Sequence, residues 1–288
     1  MIVITGACGN LGSRIVERLL ERFPATSLGV STRRTARAIA LTALGVRVRR
    51  GDFDEPATLV HAFEGASQVL IVSTQARAFG WDPLEQHRRA IAAAKAAGAR
   101  RILYTSQQGA SHASKSAALR DHARTEDLLN QSGVPWTALR NGVYARRAQV
   151  WLTDALTSGT LQAPPDGPVS WVTHDDLAEA TARILTEEGG FEGPTPPLTG
   201  PEALTLEELA GMAAGVSGVA LRREIVTEAE QVNSLEAVGI PPRVAGLSLD
   251  FYRASHAGEF AGLDPCLENL LGRPPQRALE WMASPLWR

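Results

Sequence analysis

Lysine is almost missing from this chain: Lys95 and Lys115 are the only two in 288 residues, so nearly all positive charge is arginine. The skew reads as genome composition, yet it leaves few candidates for a catalytic lysine. Cysteine is equally scarce. Cys8 and Cys266 stand far apart with no ligand-spaced partners, which argues against a disulfide framework or a thiolate metal site. A net charge of −2 lacks the basic footprint of a nucleic-acid binder. No run approaches the roughly 18 consecutive apolar residues of a membrane span. No basic stretch leads into an apolar segment as a signal peptide requires. The expectation is a cytoplasmic protein with no nucleic-acid or membrane partner and no metal. With 44% hydrophobic residues, the chain can bury a substantial core as one or two domains.

What is present starts at the N-terminus, Met1-Ile-Val-Ile-Thr-Gly-Ala-Cys-Gly-Asn-Leu-Gly-Ser-Arg14. Apolar β-formers run into Gly6, Gly9 and Gly12, and Ile15, Val16, Leu19 and Leu20 then recur at helical spacing. The pattern predicts strand, glycine turn, helix. Gly6 permits the sharp exit from the strand, Gly9 lets backbone N–H groups approach a pyrophosphate, and Gly12 lets the helix pack closely. The helix N-terminus adds partial positive charge. A glycine triplet alone says little; its place between a strand and an amphipathic helix points to a dinucleotide site, the alternative being a plain tight turn.

The strand Ser27–Thr32 is followed by Arg33-Arg34, where an NAD site would carry an acid for the ribose hydroxyl. Arginine there suits the 2′-phosphate of NADP(H), the alternative being that both arginines open a solvated helix over 35–44. Val46–Arg50 predicts a third strand ending in Gly51-Asp52-Phe53. Asp52 and Phe53 either meet the adenine, or Asp52 caps the helix starting near Pro56. Gln68–Thr74 predicts a buried parallel strand with Ser73 and Thr74 at its carboxyl edge. A helix over 82–97 ending at Gly98 follows, and its His87 reads as a surface or satisfied histidine. Arg101–Ser106, a helix over 118–131 and Trp136–Arg140 continue the alternation. The fold class is α/β, a Rossmann-type doubly wound parallel sheet.

Thr5-Gly-Ala-Cys-Gly-Asn-Leu-Gly12, Arg33, Gly51-Asp52, Tyr104-Thr105-Ser106 and Leu139-Arg-Asn-Gly-Val-Tyr144 together resemble the NmrA-like branch of the atypical short-chain dehydrogenases/reductases. Within it the chain resembles the type 2 NAD(P)H:quinone oxidoreductases, with the triphenylmethane reductases as near relatives. The resemblance runs end to end, through Trp171–Ala178 to Leu263–Met282. It implies that Gly6, Ala7, Gly9, Asn10, Leu11 and Gly12 wrap the pyrophosphate and that Arg33 holds the 2′-phosphate. Asp52 and Phe53 would meet the adenine, Ser73 and Thr74 the inner ribose or phosphates, and Tyr104, Thr105 and Ser106 the nicotinamide riboside. It also implies hydride transfer from NADPH straight to a small-molecule acceptor. Cys8 replaces the usual threonine of the loop, which makes sensitivity to thiol reagents an expectation. Val143 replaces an aromatic residue, and Arg146-Arg147 replaces a common Glu-Asn, so the acceptor is not read from the motif.

Classical members of the superfamily use Tyr-x-x-x-Lys, the lysine lowering the tyrosine pKa for proton exchange with a hydroxyl. Here Tyr104, Tyr144 and Tyr252 are followed four residues later by Gln108, Ala148 and His256, so that route is absent. The resemblance puts His122 at the position of the family reductases' lysine, with a helix-surface histidine as the alternative. A quinone suits a site without a strong acid, because hydride leaves a stabilised hydroquinone anion and positioning carries the rate. His122, Asn141 and Tyr144 are the candidates beside the acceptor.

Residues 1–148 are expected to form the NADP-binding domain, with about 165–190 returning to it, and 149–288 a smaller, interleaved α+β lobe that closes over the nicotinamide. In that lobe Trp151–Ser158 predicts a helix and Val169–Val172 a strand, with a helix over 175–187. Thr205-Leu-Glu-Glu208 and Thr227-Glu-Ala-Glu230 fit capping boxes, separated by a strand over 219–226. Pro241-Pro242, Asp264-Pro265 and Pro274-Pro275 mark three short helices. Trp281 and Trp287 are expected to pack or to touch a partner subunit, with a homodimer as the assembly to test. Two rivals to the reductase stay open: an NADP(H)-binding redox sensor of the NmrA type without turnover, and a nucleotide-sugar or isoprenoid-modifying enzyme.

Overall fold

The computed structural model of the chain describes residues 1–187 and 190–283. In chain order come β1 (Ile2–Thr5), α1 (Asn10–Leu20), β2 (Leu28–Thr32), α2 (Ile39–Ala43), β3 (Arg47–Arg50), α3 (Pro56–Phe63), β4 (Gln68–Ile71) and α4 (Pro83–Ala96). Next are β5 (Arg101–Gln107), α5 (Ala117–Gln131), β6 (Trp136–Asn141), β7 (Val143–Tyr144), α6 (Ala145–Ser158), β8 (Thr160–Ala163), β9 (Val169–Val172) and α7 (His174–Thr186). The remainder is β10 (Gly193–Pro194), β11 (Ala203–Leu204), α8 (Leu206–Ser217), β12 (Arg222–Ile225), α9 (Glu228–Ala237), α10 (Pro242–His256), α11 (Cys266–Leu271) and α12 (Ala278–Ala283).

These elements form two compact units. The first gathers Met1–Gln107, Asp121–Arg140 and Leu177–Pro196. Its centre is a seven-stranded parallel sheet in the order β10-β6-β5-β4-β1-β2-β3, a Rossmann-like arrangement with flanking helices. All four residues of β1 and of β4 are buried, as expected of strands covered on both faces. The order reverses between β1 and β4, and the crevice at such a reversal is where open α/β sheets bind ligands. At that point Val72 N donates to Thr5 Oγ1 at 2.8 Å. Leu59, Phe63, Ile71, Ile102 and Leu129 build the core there, and Ala90, Ala93 and Ala94 give α4 a small-residue face packed into it. The returning segment is tied in by Gln68 Nε2 to the Leu185 carbonyl at 3.1 Å and by Arg22 to Glu179 at 2.7 Å.

The second unit comprises Gln108–Arg120, Asn141–Asp176 and the chain from Pro197 onward. It holds the sheet β11-β9-β7 and the parallel pair β12-β8. Trp151, Trp171, Phe251, Tyr252 and Phe260 form a contiguous aromatic cluster, and Trp171 Nε1 donates to the Leu204 carbonyl at 3.0 Å. The fully buried Asp176 carboxylate accepts from Gln276 N and pairs with Arg273, both at 2.8 Å. Trp281 packs into this core, 3% exposed; Trp287 lies outside the described residues.

Both capping boxes form as read, Thr205 with Glu208 and Thr227 with Glu230. Several boundaries differ. The helix over 35–44 is a 3₁₀ turn, Thr35–Ala38, followed by the five residues of α2. The helix read from Trp151 begins six residues earlier, because Ala145 and Ala148 extend the buried face of Leu152 and Ala155 behind two arginines that hide it in the sequence. The strand over 219–226 is confined to β12. Of the three proline-marked helices, α10 is long, 15 residues, since Pro242 occupies its first position, where a missing N–H costs nothing.

Candidate active site

The glycine turn is built as a cradle. Gly6 has φ +63°, Gly9 N donates to Gly6 O at 2.9 Å, and a Cβ on Gly12 would lie 2.3 Å from Gly6 O. No side chain caps α1 and no acid sits in its first turn, so its positive end is open to an anion. Gly6, Gly9 and Asn10 are exposed, whereas Ala7, Leu11 and Gly12 are buried and offer backbone only. The residues present therefore fit a pyrophosphate: groove and amides are there, and side chains that would fill it are not.

Beside the turn lies a cleft of about 350 Å³ lined by Ala7, Cys8, Ser13, Arg37 and Leu41 among others. The Cys8 thiol donates to Thr32 Oγ1 at 3.7 Å, at the end of β2. Arg33 and Arg37 are exposed, and among the described residues no carboxylate pairs with either. Arg34 is exposed and without a carboxylate partner in the same way, so three guanidinium groups in the stretch after β2 are uncommitted among the described residues. Arg37 was not read from the sequence; the 3₁₀ turn over Thr35–Ala38 brings it to the cleft.

At the end of β3, a Cβ on Gly51 would lie 2.0 Å from Ser31 Oγ, a hydroxyl that would have to turn away, and 3.2 Å from the Ala62 Cβ. Asp52 does not cap α3. Its Oδ1 accepts from Asp54 N at 3.1 Å, and the N-cap position belongs to Glu55. Phe53 is half-buried against the core of the first unit.

The carboxyl ends of β4 and β5 are tied together. Thr105 Oγ1 accepts from Ser73 N at 2.8 Å and donates to Ser73 Oγ at 3.1 Å. Thr74 N donates to His87 Nε2 at 3.1 Å. Side chains alternate along β5, so Tyr104 and Ser106 face opposite to Thr105. Ser106 is 3% exposed and donates to Glu126 Oε1 at 2.6 Å, and the same carboxylate holds Arg140 through two bonds, at 2.6 and 3.1 Å. The Ser106 hydroxyl is therefore committed inside the protein. The buried Tyr104 hydroxyl sits 2.7 Å from His122 Nδ1. His122 is partly buried on α5, and burial lowers its pKa to about 4. His87 is buried outright; burial, with a smaller effect of His122, lowers its pKa to about 3.

Asn141 and Tyr144 fall in the second unit. Asn141 is 1% exposed, and among the described residues neither of its amide atoms has a geometrically sound hydrogen-bond partner. A Cβ on the next residue, Gly142, would lie 3.0 Å from the Leu198 carbonyl and 3.1 Å from that of Ser170. The Tyr144 ring packs on His174 with centroids 4.4 Å apart, and burial raises the Tyr144 pKa, partly offset by Asn141. His174 was not among the sequence candidates. The Arg147 guanidinium lies 4.5 Å from the Phe251 ring centroid.

Residues 6–188 match the family model described as NAD(P)H-binding. The chain belongs to this NAD(P)H-binding family. It is 34% identical over 275 residues, 95% of this chain and 94% of the other, to quinone oxidoreductase 2 of Escherichia coli. It superposes on an NADPH-complexed structure of NADPH-dependent quinone oxidoreductase from E. coli with a TM-score of 0.92 and 33% identity, covering 98% of this chain and 99% of that one. It is also similar to triphenylmethane reductase of Citrobacter sp., solved with NADP(H), with a TM-score of 0.90 and 31% identity over 99% of this chain and all of that one. The NAD(P)H-binding match spans the glycine cradle, the ends of β2 to β5, and α7. Among the described residues no helix is long and apolar enough to cross a membrane.

Proposed function

We propose that this protein is an NADPH-dependent oxidoreductase that passes hydride directly to a quinone or a similar conjugated acceptor. The observation that carries the reading is a glycine turn at the uncapped start of α1 together with Tyr104 of β5, whose hydroxyl is paired with a neutral histidine in place of a lysine. The end-to-end likeness to quinone and triphenylmethane reductases supports it.

The bound cofactor would supply the hydride and water the proton; the chain supplies binding and orientation. Gly6, Ala7, Gly9, Asn10, Leu11 and Gly12 hold the pyrophosphate through backbone N–H groups at the open end of α1. Arg33 and Arg37 take the 2′-phosphate, which sets NADPH above NADH. Asp52 and Phe53 meet the adenine, Ser73 and Thr74 the inner ribose, and Tyr104, Thr105 and Ser106 line the nicotinamide end. Thr105 acts there by fixing the Ser73 backbone, and Ser106 by fixing Glu126. A histidine with a pKa near 4 is neutral at physiological pH, so His122 orients by hydrogen bonding and is not a general acid. Asn141 and Tyr144 orient the acceptor carbonyl, and the nascent hydroquinone takes its proton from water. The division of labour between a Rossmann domain over 1–148, with 165–190 returning, and a substrate lobe over 149–288 belongs to the same reading.

We place the reaction in the cytoplasm, where the two free cysteines stay reduced. A homodimer is the assembly we propose. Sedimentation of the purified protein checks it; a monomer at all concentrations contradicts it. The function is tested by NADPH consumption with a benzoquinone, a naphthoquinone and a triphenylmethane dye, beside an NADPH titration. Quinone-dependent oxidation is expected. Tight NADPH binding without oxidation across the panel would make the protein a sensor.

A further inference from the structure

His87 is a buried titratable group that the proposed chemistry leaves unused. It sits within α4, 2% exposed, in a helix whose buried face is otherwise dominated by small apolar residues such as Ala90, Ala93 and Ala94. A histidine in such surroundings is costly unless its nitrogens are bonded. They are, and the bonds fix the direction of every hydrogen. Nε2 accepts from Thr74 N at 3.1 Å, so it carries no proton. The ring's hydrogen is therefore on Nδ1 and is donated to Thr125 Oγ1, 3.0 Å away, while Thr125 donates its own to the Asp121 carbonyl at 2.8 Å. The same ring meets Tyr104 edge to face, with centroids 5.0 Å apart and planes at 68°. Arg77 adds a parallel tie from the segment after β4 to α5, its Nε donating to the Asp121 carboxylate at 2.7 Å.

One imidazole thus joins the segment after β4, strand β5 and helix α5, which carry Thr74, Tyr104 and His122. We propose that His87 is a positioning residue for hydride transfer: as a neutral ring protonated on Nδ1, it holds the Thr74 amide and the Tyr104 ring so that the Tyr104–His122 pair presents a fixed surface to the nicotinamide end of the cofactor. The role rests on the NADPH-dependent reductase reading and adds a residue that makes no contact with the substrate. Its bonds reach the Thr74 backbone and the Thr125 hydroxyl, and its ring edge packs on Tyr104, so these contacts set where atoms lie and leave the charge of the site unchanged. Near-attack geometry is sensitive to such support, since a misplacement of about 1 Å from a distant change costs on the order of a hundredfold in rate.

The test compares His87→Gln, whose side-chain carbonyl can still accept from Thr74 N, with His87→Phe, which keeps a ring against Tyr104 and loses both bonds. Melting temperature, NADPH dissociation constant and the single-turnover rate of NADPH oxidation by a naphthoquinone are measured for each. The account expects His87→Phe to fold and to bind NADPH within a few-fold of wild type, because the phosphate contacts are untouched. Its hydride-transfer rate should fall roughly tenfold to a hundredfold, and His87→Gln should recover most of that loss. A His87→Phe protein that melts lower but transfers hydride at the wild-type rate would overturn the positioning role and leave His87 a core residue. Equal losses in both variants would overturn it too. A wild-type protein that binds NADPH without quinone-dependent oxidation is a separate result; it would sink the reductase reading, and the role of His87 with it.

Discussion

Arg33 and Arg37 carry the sharpest residue-scale prediction. Arg37 lines the cleft beside the glycine turn and Arg33 directly follows β2, each without a carboxylate partner among the described residues, and one charge-assisted hydrogen bond to the proposed 2′-phosphate contributes about 1.5–3 kcal/mol, less where solvent screens it. Arg33→Ala and Arg37→Ala should each weaken NADPH binding by roughly tenfold and leave NADH binding nearly unchanged, as two titrations per variant will show. Cys8 lines the same cleft, so alkylation by N-ethylmaleimide should abolish NADPH binding, and saturating NADPH should slow the alkylation. Cys8→Ser should be resistant. The two neutral histidines make a pH prediction. Their folded pKa values, about 3 for His87 and about 4 for His122, lie below the ordinary 6.5, so the unfolded chain binds protons that the native state refuses. Stability is then at its full value above pH 6.5 and falls as pH drops toward 4 and 3, by up to about 1.4 kcal/mol per pH unit for the buried His87 and less for His122. Urea midpoints at pH 7 and pH 5 check this, and His87→Gln should reduce the difference. Turnover should show no ionisation of His122 between pH 5 and 8. The strand, glycine turn and helix at the N-terminus were legible in the sequence, because motif and spacing mark them. Of the two alternatives for His87, surface or satisfied, the structure has the second, with both ring nitrogens bonded, while its partners and the place of Arg37 were not readable, since nothing local shows that a helix histidine lies under Thr74 or that a 3₁₀ turn sets an arginine beside a glycine loop.

At the scale of elements, close approach decides what can be substituted. Gly12→Ala puts a methyl 2.3 Å from the Gly6 carbonyl, which no side-chain rotation relieves. It should lower the melting temperature and remove NADPH binding together. Helix starts that rest on neighbouring residues were readable: both capping boxes formed where Thr and Glu stand three apart, and Thr227→Ala should cost about 1 kcal/mol, measured by chemical denaturation. The same holds for the glycine turn and for the continuous apolar strands β1 and β4. The start of α6 was not readable. Its first turn is Ala-Arg-Arg-Ala, and only tertiary packing shows that both alanines are buried while Arg147 lies over Phe251.

Across the whole molecule, the alternation of strands and helices up to β6 made the parallel sheet legible, since short turns between such elements leave few topologies. The partition of the chain is a harder matter. Asp121–Arg140 and Leu177–Pro196 belong to the first unit while Gln108–Arg120 belongs to the second. These assignments rest on contacts between residues far apart in sequence, such as Gln68 with Leu185, which no local pattern announces. The claim that organises the account is that this cradle delivers hydride straight to a flat conjugated acceptor, with no lysine and no titrating acid. The measurement that tests it most directly is single-turnover oxidation of NADPH by a naphthoquinone, with the cofactor deuterated at C4 on one face and then on the other. The account predicts oxidation that requires the quinone and is slowed by deuterium on one face only, equally at pH 6 and pH 8. A cofactor that binds tightly and stays reduced, or is oxidised without an isotope effect from either face, would contradict it.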